Sequence, residues 1–279
     1  MNTLGLDALL TAALQEDVGT GDITTESCIP PEAVSHGRFL AKEDLVLCGL
    51  DVAKRVFALT DPTLSFTALR RDGELVKKGE YFAEVSGCSR SILTGERVAL
   101  NLMQRMSGIA TRTAQAVSAV AGTKTRVVDT RKSTPGLRVL EKYAVRVGGG
   151  GNHRFNLADG ILIKDNHISA AGGIREAIAA VRQNAPHTLR IEVETETLEQ
   201  VDEALESGAD IIMLDNMDNE TMKKAVEIVA GRAKLEASGG ITLERLKSIG
   251  EIGVDFVSSG ALTHSVKAAD ISLDIEVEK

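Results

Sequence analysis

The sequence predicts an α/β protein in two parts. An α+β domain covers residues 1–108, a β/α barrel covers 109–269, and a last strand over 270–279 returns to the first domain. Three observations predict it. Six times in the second half, an apolar run ends in a polar or glycine-rich cluster, usually with a helical pattern after it. That is how a barrel with chemistry at the carboxyl ends of its strands reads in one dimension. Residues before Gly108 lack this beat and show short strand-like runs instead. Ile271–Glu278 alternates strictly, as a half-buried strand does and as a barrel strand buried on both faces does not.

In chain order, Leu6, Leu9, Leu10, Ala13 and Leu14 mark an amphipathic helix between Met1 and Glu16. A turn-rich stretch, Glu16–Asp22, follows. Strand-like runs lie at Gly37–Ala41, Leu45–Cys48, Leu64–Leu69 and Tyr81–Val85, with a helix over Leu50–Leu59 and turns at Asp72-Gly73 and Lys78-Gly79. Together they make a mostly antiparallel α+β domain. Leu93, Val98, Leu102, Ile109, Ala110 and Val117 are spaced for a long helix from Ile92 to Val120, with Ser107-Gly108 as the place where it would divide. Its Met103 and Met106 read as core or interface filler. The barrel strands are Val127–Asp129, Ile161–Ile163, Ile191–Val193, Ile211–Leu214, Leu235–Ala237 and Phe256–Val257.

The totals exclude some functions. No stretch of 18 apolar residues exists, so no membrane span is expected. The N-terminus lacks the basic region of a signal peptide. Cys28, Cys48 and Cys88 are odd in number and lack metal-type spacing, which suits free thiols in a reducing compartment and places the protein in the cytoplasm. A net charge of −8 argues against a general nucleic-acid or anionic-membrane binder. Its distribution is uneven. Arg126–Lys164 holds eight Lys or Arg against three acids, whereas Glu192–Thr221 holds eleven acids and no Lys or Arg. Most of these charges read as solvated helix faces; those at strand ends do not.

Three constellations stand at strand ends. The first joins Asp129-Thr130-Arg131-Lys132, the glycine run Gly148–Gly151 with Asn152, His153 and Arg154, and Lys164 with His167. It brings Arg131, Lys132, Arg154, Lys164 and one or two histidines toward one mouth. Arginine forks suit planar carboxylates and lysines suit phosphate, and such a gathering repels itself unless anions bind there. The glycines either let amides approach a ligand or simply make a turn. The second is Glu194 and Asp215 on successive strands, which either hold Mg²⁺ or pair with the cations across the mouth. Glu192 shares the side of its strand with Glu194 and is a secondary candidate. The third is Ser238-Gly239-Gly240, then Ser259-Gly260 with His264. It forms either the phosphate site of a barrel or two tight turns.

As a set, these residues resemble quinolinate phosphoribosyltransferase. The resemblance is carried by Glu16–Glu26, Gly95–Thr111, DTRKSTPGLR (Asp129–Arg138), GGGGNHRFNL (Gly148–Leu157), ILIKDNH (Ile161–His167), Ile191–Thr195, IIMLDNM (Ile211–Met217), EASGGI (Glu236–Ile241) and Val254–Ser265. It implies an N-terminal open sandwich and an incomplete β/α barrel. It also implies a homodimer with shared active sites, and leaves open whether dimers build hexamers. The substrates it implies are quinolinate and phosphoribosyl pyrophosphate, with Mg²⁺. On that resemblance Arg131, Lys132, His153 and Arg154 hold the quinolinate carboxylates, with Arg97 supplied by a second copy. Lys164 sits between the substrates as a catalytic residue, Glu194 and Asp215 hold the metal and ribose hydroxyls, and Ser238, Gly239, Gly260 and His264 take phosphates.

Three other readings compete. A phosphate-binding barrel aldolase would use Lys164 as a Schiff-base lysine, but leaves the arginines and the carboxylate pair unexplained. A paralogous phosphoribosyltransferase acting on another base fits less well with the clustered Arg131, Lys132 and Arg154. A small-molecule sensor would not need both Glu194 and Asp215.

Overall fold

The computed structural model describes residues 5–277; the expected helix start at Met1 and the last residues of the terminal strand lie outside them. The chain runs α1 (Leu6–Val18), α2 (Ile23–Cys28), β1 (Val34–Ala41), β2 (Leu45–Val46), α3 (Leu50–Thr60), β3 (Ser65–Ala68), β4 (Leu75–Val76), β5 (Tyr81–Cys88) and α4 (Ser89–Ala119). It continues with β6 (Arg126–Val128), α5 (Arg138–Val147), β7 (Ile161–Ile163), α6 (Asp165–Ala171), α7 (Ile174–Asn184), β8 (Ile191–Thr195), α8 (Leu198–Glu206) and β9 (Ile211–Asp215). Then come α9 (Asn219–Val229), β10 (Lys234–Ser238), α10 (Leu243–Ile252), β11 (Phe256–Ser258) and β12 (Ile271–Val277). Two compact units result. One holds residues 1–114, 134–149 and 265–279, the other 115–133 and 150–264. In this division α5 groups with the first unit. Among the described residues, no helix is long and apolar enough to cross a membrane.

The first unit is built on an antiparallel sheet in the order β12-β1-β5-β3. Alternation along β1 buries Ser35, Gly37, Phe39 and Ala41 and turns the residues between them outward. Phe39 is the centre of the core, with ring centroids 6.2 Å from Phe57, 5.9 Å from Phe66 and 5.9 Å from Phe82, separations at which aromatic pairs attract. Asp72 caps α3, accepting from the amides of Gly49 at 3.0 Å and Leu50 at 3.1 Å. Its other oxygen accepts from the Tyr143 hydroxyl at 3.0 Å; burial first, and then the charge of Asp72, push that phenol up. β12 pairs with β1 from Ser35↔Val277 to Ala41↔Ile271, as the alternating pattern predicts.

α4 is a single helix of 31 residues and does not break at Ser107-Gly108. Both residues serve packing. The Ser107 hydroxyl accepts from the Cys48 amide at 3.0 Å and donates to the Cys48 carbonyl at 3.1 Å. Gly108 leaves room for the carbonyl of Lys267, which a side chain there would strike. Gln104 completes the docking of the last segment. Its carbonyl accepts from the Ala269 amide at 2.9 Å, and its side chain donates to the Ile271 carbonyl at 2.8 Å.

In the second unit all six strands are parallel, in the order β6-β11-β10-β9-β8-β7, so the sheet curls but stays open between β6 and β7. Val193, Ile212, Leu214, Ala237 and Val257 are fully buried. Residues of the other parity share the opposite face of the same strands, and there Glu192, Glu194, Asp215, Glu236, Ser238 and Ser258 stand among the apolar Ile211, Met213 and Phe256. The register sets Asp215 beside Ser238, and Glu194 and Glu236 on either side of Met213. The helices between strands begin on ordinary caps, Thr197 with Gln200 for α8 and Asp218 for α9.

Candidate active site

The site begins at the open edge of the barrel. Gly151 bridges to Val128 there, its amide donating to the Val127 carbonyl at 2.8 Å. Asp129, fully buried, fastens the segment by its side chain. One oxygen accepts from the His153 amide at 2.9 Å, the other from Asn152 Nδ2 at 2.7 Å. The glycine run is thus part helix end and part strand edge. Gly148 ends α5 where a Cβ would meet the Ala110 carbonyl, while Gly151 extends the ladder.

Carboxyl ends of the strands surround a cavity of about 360 Å³. Eight of the residues singled out from sequence line it: Arg131, Lys132, His153, Arg154, Lys164, Glu194, Asp215 and Ser238. Gly239, Gly260 and His264 stand just outside the wall. Gly239 follows Ser238 with φ +80°, and a Cβ on Gly260 would lie 2.8 Å from Lys132 Cδ and 2.9 Å from His264 Cδ2. The Thr263 hydroxyl donates to the Lys132 carbonyl at 2.8 Å, tying that loop to the end of β6. Arg97 is exposed on α4 in the first unit. His167 turns elsewhere: its Nδ1 accepts from the Lys164 amide at 2.9 Å and closes the start of α6, so one histidine and not two faces the mouth.

The charges are incompletely matched. Lys164 Nζ pairs with Glu194 Oε2 at 2.7 Å, and Asp215 Oδ2 accepts from Asn216 Nδ2 at 2.7 Å. The Arg131 Nε is buried and has no hydrogen-bond partner among the described residues. Burial, and then the positive charge of Arg131, push the Arg154 guanidinium below the usual arginine range, while one of its Nη groups donates to the Gly160 carbonyl at 2.9 Å. Two guanidiniums that repel each other in one wall are relieved when an anion binds beside them.

Below this layer, His153 Nε2 lies 2.9 Å from Glu192 Oε2 and 3.7 Å from Glu236 Oε1. Burial, followed by the charge of Glu192, pushes the Glu236 carboxyl up to about 7.

Family models match both parts of the chain. The N-terminal domain of quinolinate phosphoribosyl transferase matches residues 22–107, and its C-terminal domain matches 109–274. The chain belongs to the quinolinate phosphoribosyl transferase family. Among its relatives, a probable nicotinate-nucleotide pyrophosphorylase [carboxylating] of Bacillus subtilis is 49% identical over 99% of this chain and 95% of its own length. A chloroplastic nicotinate-nucleotide pyrophosphorylase [carboxylating] of Arabidopsis thaliana is 48% identical over 99% of this chain and 84% of its own. The crystal structure of NadC from Streptococcus pyogenes superposes with a TM-score of 0.96 at 44% identity, covering 100% of this chain and 99% of that one.

Within this family member, sequence reasoning gave no role to Glu236, Asn216 or Ser258. The signal for Glu236 was present, because a strand with Leu235 and Ala237 on its helix side must send Glu236 to the side of Ser238. Asn216 carries no such signal; its left-handed backbone, φ +56°, shows only in three dimensions.

Proposed function

We propose that this protein transfers the phosphoribosyl group of phosphoribosyl pyrophosphate to quinolinate with decarboxylation, giving nicotinate mononucleotide, pyrophosphate and CO₂. The reading rests on one observation above all: Arg131, Lys132, Arg154 and Lys164 converge on one cavity, with an unpartnered guanidinium nitrogen among them. In this scheme Arg131, Lys132 and Arg154 take the carboxylates and Lys164 bridges the two substrates. Ser238, Gly239, Gly260 and His264 take phosphate groups beside them. Ordering two polyanions against one another removes much of the entropic barrier. The pyridine nitrogen attacks C1 of the ribose as the C1–oxygen bond to pyrophosphate breaks. The bond from C2 to its carboxylate then breaks, its electron pair held at C2 beside the cationic nitrogen until C2 takes a proton.

Glu194 and Asp215 offer hard oxygen donors on adjacent strands in the cavity wall, a donor set that fits Mg²⁺. Bound there, Mg²⁺ would offset the charge of the leaving pyrophosphate. In the same reading the protein is a cytoplasmic homodimer, and Arg97 reaches the site of a second copy. The aldolase alternative is disfavoured because Glu194 engages the Lys164 amine, and a Schiff base needs that amine free.

The test is release of CO₂ from quinolinate labelled in its 2-carboxylate, with Mg²⁺, with and without phosphoribosyl pyrophosphate. Release that depends on the donor and stops with chelator is expected. No release from folded protein would move the function to another base.

A further inference from the structure

The reaction above ends with an electron pair at C2 that must take a proton, and the residues placed so far do not supply it. Of the ionisable groups in the cavity wall, Arg131, Lys132, His153, Arg154 and Lys164 serve the anions, and Glu194 and Asp215 are the metal donors. Glu236 lines the same wall and has no task in that scheme. It is 3% exposed, and its Oε1 has no hydrogen-bond partner among the described residues. Buried polar atoms normally find a partner, so an unmatched one calls for an explanation. Oε1 stands 3.7 Å from His153 Nε2, against the carboxylate end of the cavity; the phosphate end begins at Ser238, two residues further along β10.

A second cavity, of about 320 Å³, lies behind the first. Val128, Ile161, Leu189, Ile211 and Phe256 give it apolar walls, and it runs to Thr188 and Arg190, both exposed, just before β8. Among the described residues, His153, Arg154 and Glu236 border both cavities. An arginine does not give up its proton near neutrality, and His153 stands with the quinolinate carboxylates. Glu236 is left as the group with one side toward the substrates and the other toward a chamber that reaches solvent. The groups facing it decide its charge. Glu192 comes from β8 and His153 from the segment after Gly151, while Met213 on β9 and Phe256 and Ser258 on β11 carry no charge. Burial, and then the charge of Glu192, push the Glu236 carboxyl up, against the pull of a protonated His153. It therefore holds a proton near neutrality, and a general acid must both hold and release one.

Resting on the quinolinate reading, we propose that Glu236 is the general acid that protonates C2 once CO₂ has left. The bond from C2 to its carboxylate breaks and leaves the electron pair on C2. That pair takes the Glu236 proton, and the O–H bond breaks to leave a carboxylate. One proton from solvent then reaches Glu236 through the second cavity, so each turnover consumes one proton and restores the acid. The two cavities give this order a physical basis. While substrates and pyrophosphate fill the mouth, the path behind Glu236 stays open for its reloading. The protonated form also suits the ground state, because a second buried carboxylate beside Glu192 would repel the incoming dianion.

The experiment is rapid quench of wild type, Glu236→Gln and Glu236→Asp with quinolinate labelled in its 2-carboxylate, phosphoribosyl pyrophosphate and Mg²⁺. Pyrophosphate and CO₂ are counted separately, and melting curves establish that each protein is folded. In Glu236→Gln, pyrophosphate should still appear in a stoichiometric burst while CO₂ lags, because an unprotonated C2 recaptures CO₂. Its kcat should fall about 10²–10⁴-fold, the usual contribution of a general acid, and neither substrate's KM should rise. Glu236→Asp keeps an acid but draws it back from C2, so its kcat should lie between the other two; it carries the test should the Gln protein not fold. Wild-type kcat in a folded Gln or Asp variant, or pyrophosphate and CO₂ slowed together in Glu236→Gln, would overturn the proposal. Wild-type protein that releases neither product would sink the substrate reading itself, and the role of Glu236 with it.

Discussion

Gly239→Ala probes how the loop after β10 supports the site. Gly239 has φ +80°, and an added Cβ would strike the Asn216 side chain and lie 2.9 Å from its main-chain nitrogen. An alanine in left-handed backbone costs about 1–2 kcal/mol, and forcing a methyl into packed structure costs about 1–3 kcal/mol more. Asn216 cannot simply yield. It holds φ +56° itself and donates to Asp215 at 2.7 Å. The sum, about 2–5 kcal/mol, corresponds to a melting point lower by roughly 4–20 °C. Asn216→Gly removes the obstructing side chain and tolerates the positive φ, so the double variant should recover about 1 kcal/mol or more relative to additive losses. Melting curves of the four proteins give the coupling directly. A Gly239→Ala protein that melts with wild type, or strictly additive losses, would refute the reasoning.

Three further outcomes follow from the geometry. Gly108→Ala would gain about 1 kcal/mol as an isolated helix substitution, yet its Cβ meets the Lys267 carbonyl and lies 3.3 Å from Ala268 Cα. Calorimetry should therefore show net destabilisation of about 1–3 kcal/mol, and a stabilised variant would mean the last segment docks elsewhere. Arg131→Lys keeps the charge but loses the planar fork, so steady-state kinetics should show quinolinate KM raised about 10-fold or more; a wild-type KM would remove Arg131 from carboxylate binding. Arg97→Ala and Lys164→Ala, each inactive alone, should regain some activity when mixed, and no recovery despite proven subunit exchange would end the idea of shared sites.

The barrel strands were legible because each carries two signals at once, a buried apolar run and an abrupt change to charge at its carboxyl end. That change also located Arg131, Lys164, Glu194 and Asp215 in one wall. Where a residue's role depends on distant chain, the signal failed. Ser107-Gly108 looks like a break when only neighbours count, but the helix continues because Cys48 and Lys267 occupy the space those small residues leave. α5 follows β6 as a barrel helix should, yet Arg105 ties it to the first unit by pairing with the buried Glu141. α2 and β4 are too short, at six and two residues, to show a period. His167 and His153 looked alike; only the hydrogen bonds separate a helix cap from a residue in the cavity wall.

The pairing of β12 with β1 has a consequence for biosynthesis. Arg38 and Glu276, which meet across that pair, are 238 residues apart. At ribosomal rates of about 5–20 residues per second, β1 emerges roughly 10–50 s before the strand that covers its outer edge. Through that interval the first sheet exposes a row of unsatisfied main-chain groups, the kind of edge on which chains aggregate. The outward polar residues of β1, His36 and Arg38 among them, are then more than surface decoration. They keep a waiting edge soluble until the ribosome has finished.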